Sequence, residues 1–176
     1  MPIVYEGRVF SVEASRRRFP NGEEHAVEIV HHAPSVVLIP VLPDGRLIII
    51  NQYRAPLDRE TWEFPAGRVN PSERADDAAR RECEEEIGLM PHSLKKIAAL
   101  YSAPGFCDEQ MIFFLASDLR TPPPDSPHKP DADEDIETRI VTMADVGQMV
   151  ARGEIVDLKT AYAVTLLGVD QDGGGA

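Results

Sequence analysis

Glu82, Glu85 and Glu86 crowd the short stretch between Arg81 and Gly88. From Arg74 to about Ile87 the chain has no Gly or Pro and many helix formers, so it predicts a helix that Gly88 ends. A helix turns about 100° per residue, which lines up Ala79, Cys83 and Ile87 as an apolar stripe and sets Glu86 about 20° from Ala79. Glu82 lies one turn before Glu86. An ordinary amphipathic helix keeps its carboxylates opposite the core; here two of them border the buried side. Like charges at i,i+4 weaken an isolated helix by roughly 0.2–0.5 kcal/mol per pair, and Glu85 adds a third charge at i+3. Arg81 can serve one neighbour, so the remaining charge asks for a cation from outside the chain. Carboxylate oxygens suit a hard divalent cation such as Mg²⁺, which keeps waters and is completed by substrate phosphates. A lone Glu-rich run is ordinarily a solvated face, so the residues around it must decide.

Those residues require positioning elements. Val27 to Val30, Val36 to Leu42, Leu47 to Ile50 and Thr61 to Pro65 read as strands. Pro20-Asn21-Gly22 reads as a turn, and Pro43-Asp44-Gly45 predicts a hairpin between the second and third strands. Lys96 to Tyr101 and Met111 to Ala116 read as strands flanking the turn-like Pro104-Gly105. Repeated prolines from Pro122 to Pro130 predict an extended loop. A strand near Thr138 to Val141 then precedes helices at about 143–152 and 157–168. The order of strands, helix, strands and helices fits an α+β sandwich better than a doubly wound parallel sheet. No phosphate-cradling G-x-x-x-x-G-K or G-x-G-x-x-G loop occurs.

Composition narrows the function. The chain has 176 residues, 43% hydrophobic and 27% charged, with a formal net charge of −12. That charge argues against a general nucleic-acid or anionic-membrane binder, which gains affinity by neutralising phosphates. It leaves a phosphate substrate open, because a bound divalent cation reverses the local sign. There is no apolar run long enough to span a membrane and no visible signal peptide. Two cysteines, Cys83 and Cys107, make no disulfide scaffold and agree with a cytoplasmic setting.

The full spacing is Gly67, five residues, Glu73, seven residues, Arg81-Glu82-Cys83-Glu84-Glu85-Glu86-Ile87-Gly88-Leu89. It resembles the signature of the Nudix hydrolase family at every defined slot. Cys83 stands where an aliphatic residue is usual, and a buried Cys behaves as a small hydrophobe. Asn51-Gln52-Tyr53-Arg54, Trp62-Glu63-Phe64-Pro65-Ala66-Gly67 and Ala103-Pro104-Gly105-Phe106-Cys107-Asp108-Glu109 are similar to stretches of the family's ADP-ribose pyrophosphatases. Pro104, fifteen residues beyond Leu89, falls where that subfamily typically carries a proline.

The resemblance implies an α/β/α sandwich around a central mixed sheet over residues 35–170. Before it would come an N-terminal antiparallel strand region over residues 1–34, and after it a flexible tail at 171–176. It implies Glu82, Glu85 and Glu86, with the Ala66 carbonyl, as ligands of Mg²⁺ or Mn²⁺. Glu73 and Arg81 would brace the loop and orient the carboxylates. Glu134, within Asp133-Glu134-Asp135, would join the site from a later loop as a catalytic carboxylate that orients or deprotonates the attacking water. Arg54, a planar fork suited to phosphate oxygens, would bind substrate, together with Glu63, Pro104, Gly105 and Glu109. Arg17, within the only basic cluster Arg16-Arg17-Arg18, would hold a terminal phosphate or simply guard an edge strand. Trp62 reads as core and the five histidines as loop or surface residues. The implied reaction is hydrolysis of ADP-ribose to AMP and ribose 5-phosphate. GDP-mannose and ADP-glucose are the alternative substrates, and a ligand sensor is the rival from another class. A homodimer built through residues 1–34 is implied too; a monomer at micromolar concentration would count against a shared site.

Overall fold

The computed structural model describes residues 2–128 and 136–172. Three sheets organise them. The strands β1 (Ile3–Glu6), β2 (Phe10–Arg18) and β3 (Glu24–His32) form an antiparallel N-terminal sheet in the order β1-β2-β3. β4 (Ser35–Pro40), β7 (Ala66–Arg68), β8 (Met90–Tyr101) and β9 (Gln110–Arg120) form a mixed sheet in the order β7-β4-β9-β8, with β4 and β9 parallel. β10 (Glu137–Val141), β5 (Leu47–Arg54) and β6 (Arg59–Glu63) pair antiparallel in the order β10-β5-β6. The helices are α1 (Ala75–Ile87), α2 (Met143–Ala151) and α3 (Leu158–Asp172).

β4 shows why the molecule is layered. All six of its residues are buried, and successive strand residues face opposite ways. Val36 and Leu38 pack with Ala78, Ala79 and Cys83 of α1. Val37 and Ile39 pack with Leu47 and Ile49 of β5, Val146 and Met149 of α2, and Ala163 of α3. The mixed sheet is therefore the middle layer, with α1 on one face and the β5 sheet with α2 and α3 on the other. This is the α+β sandwich the sequence implies.

The hairpin expected around Pro43-Asp44-Gly45 forms only locally. Leu42 N–H donates to the Arg46 carbonyl, and Val41 makes a single antiparallel bridge to Leu47. Beyond that the strands part into different sheets, because both edges of β4 are taken by β7 and β9. β8 is longer than the expected 96–101 and contains Pro91, which an edge strand tolerates. α3 extends through Asp172, so the expected tail begins inside the helix and its remainder, 173–176, lies outside the described residues.

The N-terminal sheet is tied to the mixed sheet by charge. Val30 N–H donates to the Phe106 carbonyl at 2.7 Å, and Asp108 N–H donates to the Val30 carbonyl at 3.1 Å. His31 stands between two carboxylates, with Nδ1 at 2.6 Å from Asp108 and Nε2 at 3.0 Å from Glu13. The Ser15 hydroxyl, then His31 and Arg17, hold the Glu13 carboxyl down to about 2, against 4.5 when free. Asp108 and then Glu13 raise His31 above its ordinary 6.5. A lowered acid stabilises fully above its free value and loses that share as pH falls through the folded one; a raised base does so below its free value and loses it as pH rises. The Glu13–His31–Asp108 cluster is thus most stabilising between about pH 4.5 and 6.5, and only its Asp108 end reaches beyond the N-terminal sheet. We expect the Tm to decline above pH 6.5, and His31→Asn to lose that part of the slope. A His31→Asn profile parallel to that of the unaltered protein would show that this histidine does not carry it.

Candidate active site

The site begins at the edge strand β7. Leu38 N–H donates to the Pro65 carbonyl and Val69 N–H to the Pro34 carbonyl, which makes Gly67 the hydrogen-bonded partner of Val36. Antiparallel pairs alternate, so the N–H and carbonyl of Ala66 point away from β4. They face α1, where Glu86 Oε2 accepts the Ala66 N–H at 2.9 Å. The Ala66 carbonyl lies on the same edge. Gly67 leaves room for Glu82: a Cβ there would fall 1.9 Å from the Glu82 carboxyl carbon.

α1 presents the carboxylates as its apolar stripe dictates. Ala79 and Cys83 are fully buried against β4. Burial, then Glu86 and Glu84, pushes the Cys83 thiol up to about 12, so it is an inert apolar filler. Asp76 and Asp77 suit the positive end of the helix dipole. Gly88 ends the helix in the left-handed region at φ 67°, with its N–H donating to the Glu84 carbonyl.

Arg81 does more than the sequence suggested. Its Nε and Nη2 donate to Glu73 at 2.9 and 3.0 Å, and Nη1 donates to Glu82 at 2.6 Å and Glu85 at 2.9 Å. Nη2 also reaches the Arg68 carbonyl at 2.9 Å. One guanidinium therefore serves three acids, using the fork's several N–H donors. Those acids raise its pKa, Glu73 most. The Arg81 hydrogen bonds in turn hold Glu73 below the usual carboxylate range, and Asn70 N–H adds to this at 2.8 Å. Glu73 and Arg81 thus tie the β7–α1 loop to the helix.

In this conformation no three His, Cys, Asp or Glu side chains among the described residues converge at metal-holding spacing. Glu82 and Glu85 turn to the same Arg81 nitrogen, and Glu86 turns to the Ala66 amide. The donor set still fits a hard divalent cation: three carboxylates and an edge carbonyl, all oxygen. Gly67, by lacking a side chain, lets the Glu82 carboxylate sit against the same edge. Loading would require Glu82 and Glu85 to exchange the guanidinium for the ion.

A cavity of about 410 Å³ opens over these groups, lined by Glu82, Glu85 and Glu86 together with Gln52, Arg54 and Ala66 among others. A second cavity of about 700 Å³ adjoins it and shares Arg54, Ala66, Gly67 and Arg68. Arg54 stands at the junction. Its Nε and Nη2 donate to Glu63 at 2.8 and 2.6 Å, while Nη1 makes no hydrogen bond among the described residues.

The remaining expected residues divide. Glu63 belongs to the lining of the larger cavity but is 2% exposed, with its carboxylate engaged by Arg54 and Lys159. Glu109 lines the larger cavity and accepts from the Ser35 hydroxyl at 2.7 Å, with His32 Nδ1 at 3.5 Å. Arg17 grips Glu13 at 3.1 and 3.2 Å and lines neither cavity. It sits on the part of β2 beyond the register of β1, where β2 pairs with β3 among the described residues. Pro104 and Gly105 form the turn closed by Phe106 and Cys107 N–H on the Ala103 carbonyl, also outside both cavities. Glu134 lies outside the described residues. Trp62 is half-buried with the Arg139 guanidinium 4.0 Å over its ring, a cation–π contact on the β5 sheet.

Sequence reasoning missed Asp157, Lys159 and Thr160. The Asp157 carboxylate accepts from the Thr160 N–H at 3.0 Å and hydroxyl at 2.6 Å, capping the first turn of α3. Thr160 Oγ1 accepts from Phe64 N–H at 2.8 Å, and Lys159 donates to Glu63. An Asp followed by Thr three residues later, at the start of an expected helix, is the signal that marks this capped turn.

The NUDIX domain model matches residues 31–161. The chain is 37% identical over 164 residues to an ADP-ribose pyrophosphatase of Bacillus subtilis (strain 168), covering 93% of this chain and 88% of that protein. It is 29% identical over 164 residues to a methanol dehydrogenase activator of Bacillus methanolicus, with the same coverage of 93% and 88%. A crystal structure of an ADP compounds hydrolase superposes with a TM-score of 0.79 at 24% identity, covering 99% of this chain and 92% of that one.

Proposed function

Because the chain belongs to the Nudix family of hydrolases, we propose that it hydrolyses the pyrophosphate bond of ADP-ribose with Mg²⁺, releasing AMP and ribose 5-phosphate. One observation carries this reading. The carboxylate cavity and the larger cavity share Arg54, Ala66, Gly67 and Arg68, so a diphosphate seated at the junction has space beside it for its flanking groups. The choice of ADP-ribose draws on the Bacillus subtilis relative, which carries that activity in its name.

Glu82, Glu85, Glu86 and the Ala66 carbonyl would hold Mg²⁺. When bound, the ion supplies charge neutralisation at the phosphates and a more acidic water. Everything else falls to the chain. Arg54 offers Nη1 to a phosphate oxygen while Glu63 fixes the other side of its fork. Arg81 keeps Glu73 and α1 in register when its Nη1 contacts to Glu82 and Glu85 give way. Glu134 or one of the helix glutamates takes the proton of the attacking water. Its oxygen bonds to one phosphorus, and the bridging oxygen leaves with the other. Positioning and charge carry most of such a reaction.

We read the N-terminal sheet as a dimerisation region. Ile3, Val4, Tyr5, Val9 and Phe10 are large apolar residues left exposed on it or beside it, and exposed apolar clusters mark interaction surfaces. Among the described residues no helix is long and apolar enough to cross a membrane. Cys83 and Cys107 are free, which supports a reducing, cytoplasmic setting.

The test is product analysis. The purified protein is incubated with Mg²⁺ and ADP-ribose, ADP-glucose, GDP-mannose, NADH, diadenosine polyphosphates or deoxynucleoside triphosphates. AMP released preferentially from ADP-ribose, and abolished by EDTA, is the expected result. Preferential cleavage of another sugar nucleotide would retain the chemistry and replace the substrate. Tight ADP-ribose binding with no cleavage would overturn the catalytic reading.

A further inference from the structure

Lys159 places an ammonium group, 9% exposed, beside the larger cavity. The scheme above gives it no task. Burying an ammonium is costly unless carboxylates surround it, and here two do. Lys159 Nζ donates to Glu63 Oε2 and lies 3.0 Å from Asp157 Oδ2. Glu63 is already matched charge for charge by Arg54, so a simple ion pair needs no lysine. Four alternating charges result, running Asp157, Lys159, Glu63, Arg54 from the first turn of α3 to the junction of the two cavities.

The geometry gives that chain a direction. Glu63 Oε2 accepts from Arg54 Nη2 at 2.6 Å and from Lys159, while Oε1 accepts from Arg54 Nε alone. The two cations approach one oxygen, so Lys159 fixes the rotation of the carboxyl plane about which the Arg54 fork is laid. Lys159 is itself fixed. The next residue, Thr160, is fully buried, accepts from Phe64 N–H at 2.8 Å and donates to Asp157 at 2.6 Å. Lys159 and Thr160 thus engage the consecutive residues Glu63 and Phe64, stitching the start of α3 to the end of β6. Glu63 also has burial working against its charged form, which the neighbouring guanidinium and ammonium outweigh, leaving it below the usual carboxylate value.

We propose that Lys159 is a positioning residue: acting through Glu63, it sets where Arg54 presents Nη1 to the diphosphate. The assignment rests on the reading of Arg54 as the phosphate contact. Removing the ammonium while keeping bulk, as in Lys159→Met, is expected to raise KM about tenfold, in the range of couplings seen within shared ionic networks. kcat should stay within about threefold, since the interaction binds ground and transition state alike. Lys159→Arg, which keeps the charge, should lie between the two.

The deciding experiment is a double-mutant cycle with Arg54→Gln. KM is measured on whichever diphosphate the unaltered enzyme cleaves fastest, with rates normalised to folded protein and the Tm recorded for each variant. If Lys159 acts through Arg54, Lys159→Met should change KM by less than about twofold once Arg54 is gone. An equal change in both backgrounds would overturn the proposal and make Lys159 an independent contact. An unchanged KM in the single variant, with only a lowered Tm, would leave it a packing residue and equally overturn the proposal. If the unaltered protein cleaves no diphosphate, the reaction reading fails by itself. The same cycle on calorimetric ADP-ribose affinity then decides the role of Lys159, with additivity or no effect counting against it.

Discussion

Glu86→Gln is expected to lower kcat by about 10²–10³-fold, the scale on which single electrostatic contributions to a transition state are lost, while KM stays within about threefold. The substitution isolates charge from shape. Glutamine has the same length and keeps an oxygen that can accept the Ala66 N–H now bonded at 2.9 Å. The β7–α1 contact therefore survives. What disappears is one negative charge, 7% exposed and crowded by Glu82 and Glu85 on the same helix. Easing that crowding should leave the Tm unchanged or slightly raised. A fall in kcat and kcat/KM together, with KM flat, identifies an interaction that matters chiefly in the transition state. Arg54→Gln should show the opposite signature, with KM moving first. Turnover near that of the unaltered enzyme in Glu86→Gln would remove Glu86 from the ligand set, whatever the family pattern says.

The site was unevenly legible in the sequence. The α1 carboxylates could be placed because the helix period alone sets Glu86 beside the Ala79–Cys83 stripe, and the flanking Gly67, Glu73 and Arg81 follow at fixed intervals. β4 was legible as a buried strand but not in its pairing. A turn signal at Pro43-Asp44-Gly45 is local, whereas the partners of β4 are settled by β7 and by β9, a parallel strand more than seventy residues on. Spacing alone assigns Arg81 a single acidic neighbour; its bracing role with Glu73 is implied only by the resemblance, because one-dimensional spacing does not show how the β7–α1 loop folds Glu73 back onto the same guanidinium. Lys159 was invisible for the same reason: its partner Glu63 is 96 residues away, and a lysine near the start of a helix is unremarkable by type. Long-range ion pairs leave no periodic trace, so the residues that hold a site in place are harder to read than those that form it.

Gly67→Ala should cost nearly as much activity as losing Glu82 itself, with little change in stability. A methyl group at residue 67 would meet the Glu82 carboxyl carbon at 1.9 Å and its oxygens at 2.0 and 2.2 Å. The clash is with the end of a flexible side chain, so it is relieved by Glu82 moving and giving up its 2.6 Å hydrogen bond from Arg81, which keeps Glu73 and Glu85. Residue 67 has no left-handed φ, so alanine fits the backbone there. The strand pairing with Val36 uses main-chain atoms that alanine keeps. The Tm should accordingly shift by no more than about two degrees, the equivalent of roughly ±0.5 kcal/mol. Glu82, however, must leave the space beside Gly67. A displaced ligand or its support typically costs 10–100-fold in metal affinity or activity, so the Mg²⁺ concentration for half-maximal rate should rise by about that factor and kcat should fall. Adding Gly67→Ala to Glu82→Ala should then do almost nothing, because the side chain it displaces is already gone. Full activity in Gly67→Ala at an unchanged Tm would mean that Glu82 works from another position, and the carboxylate set proposed for the ion would have to be redrawn around Glu85 and Glu86.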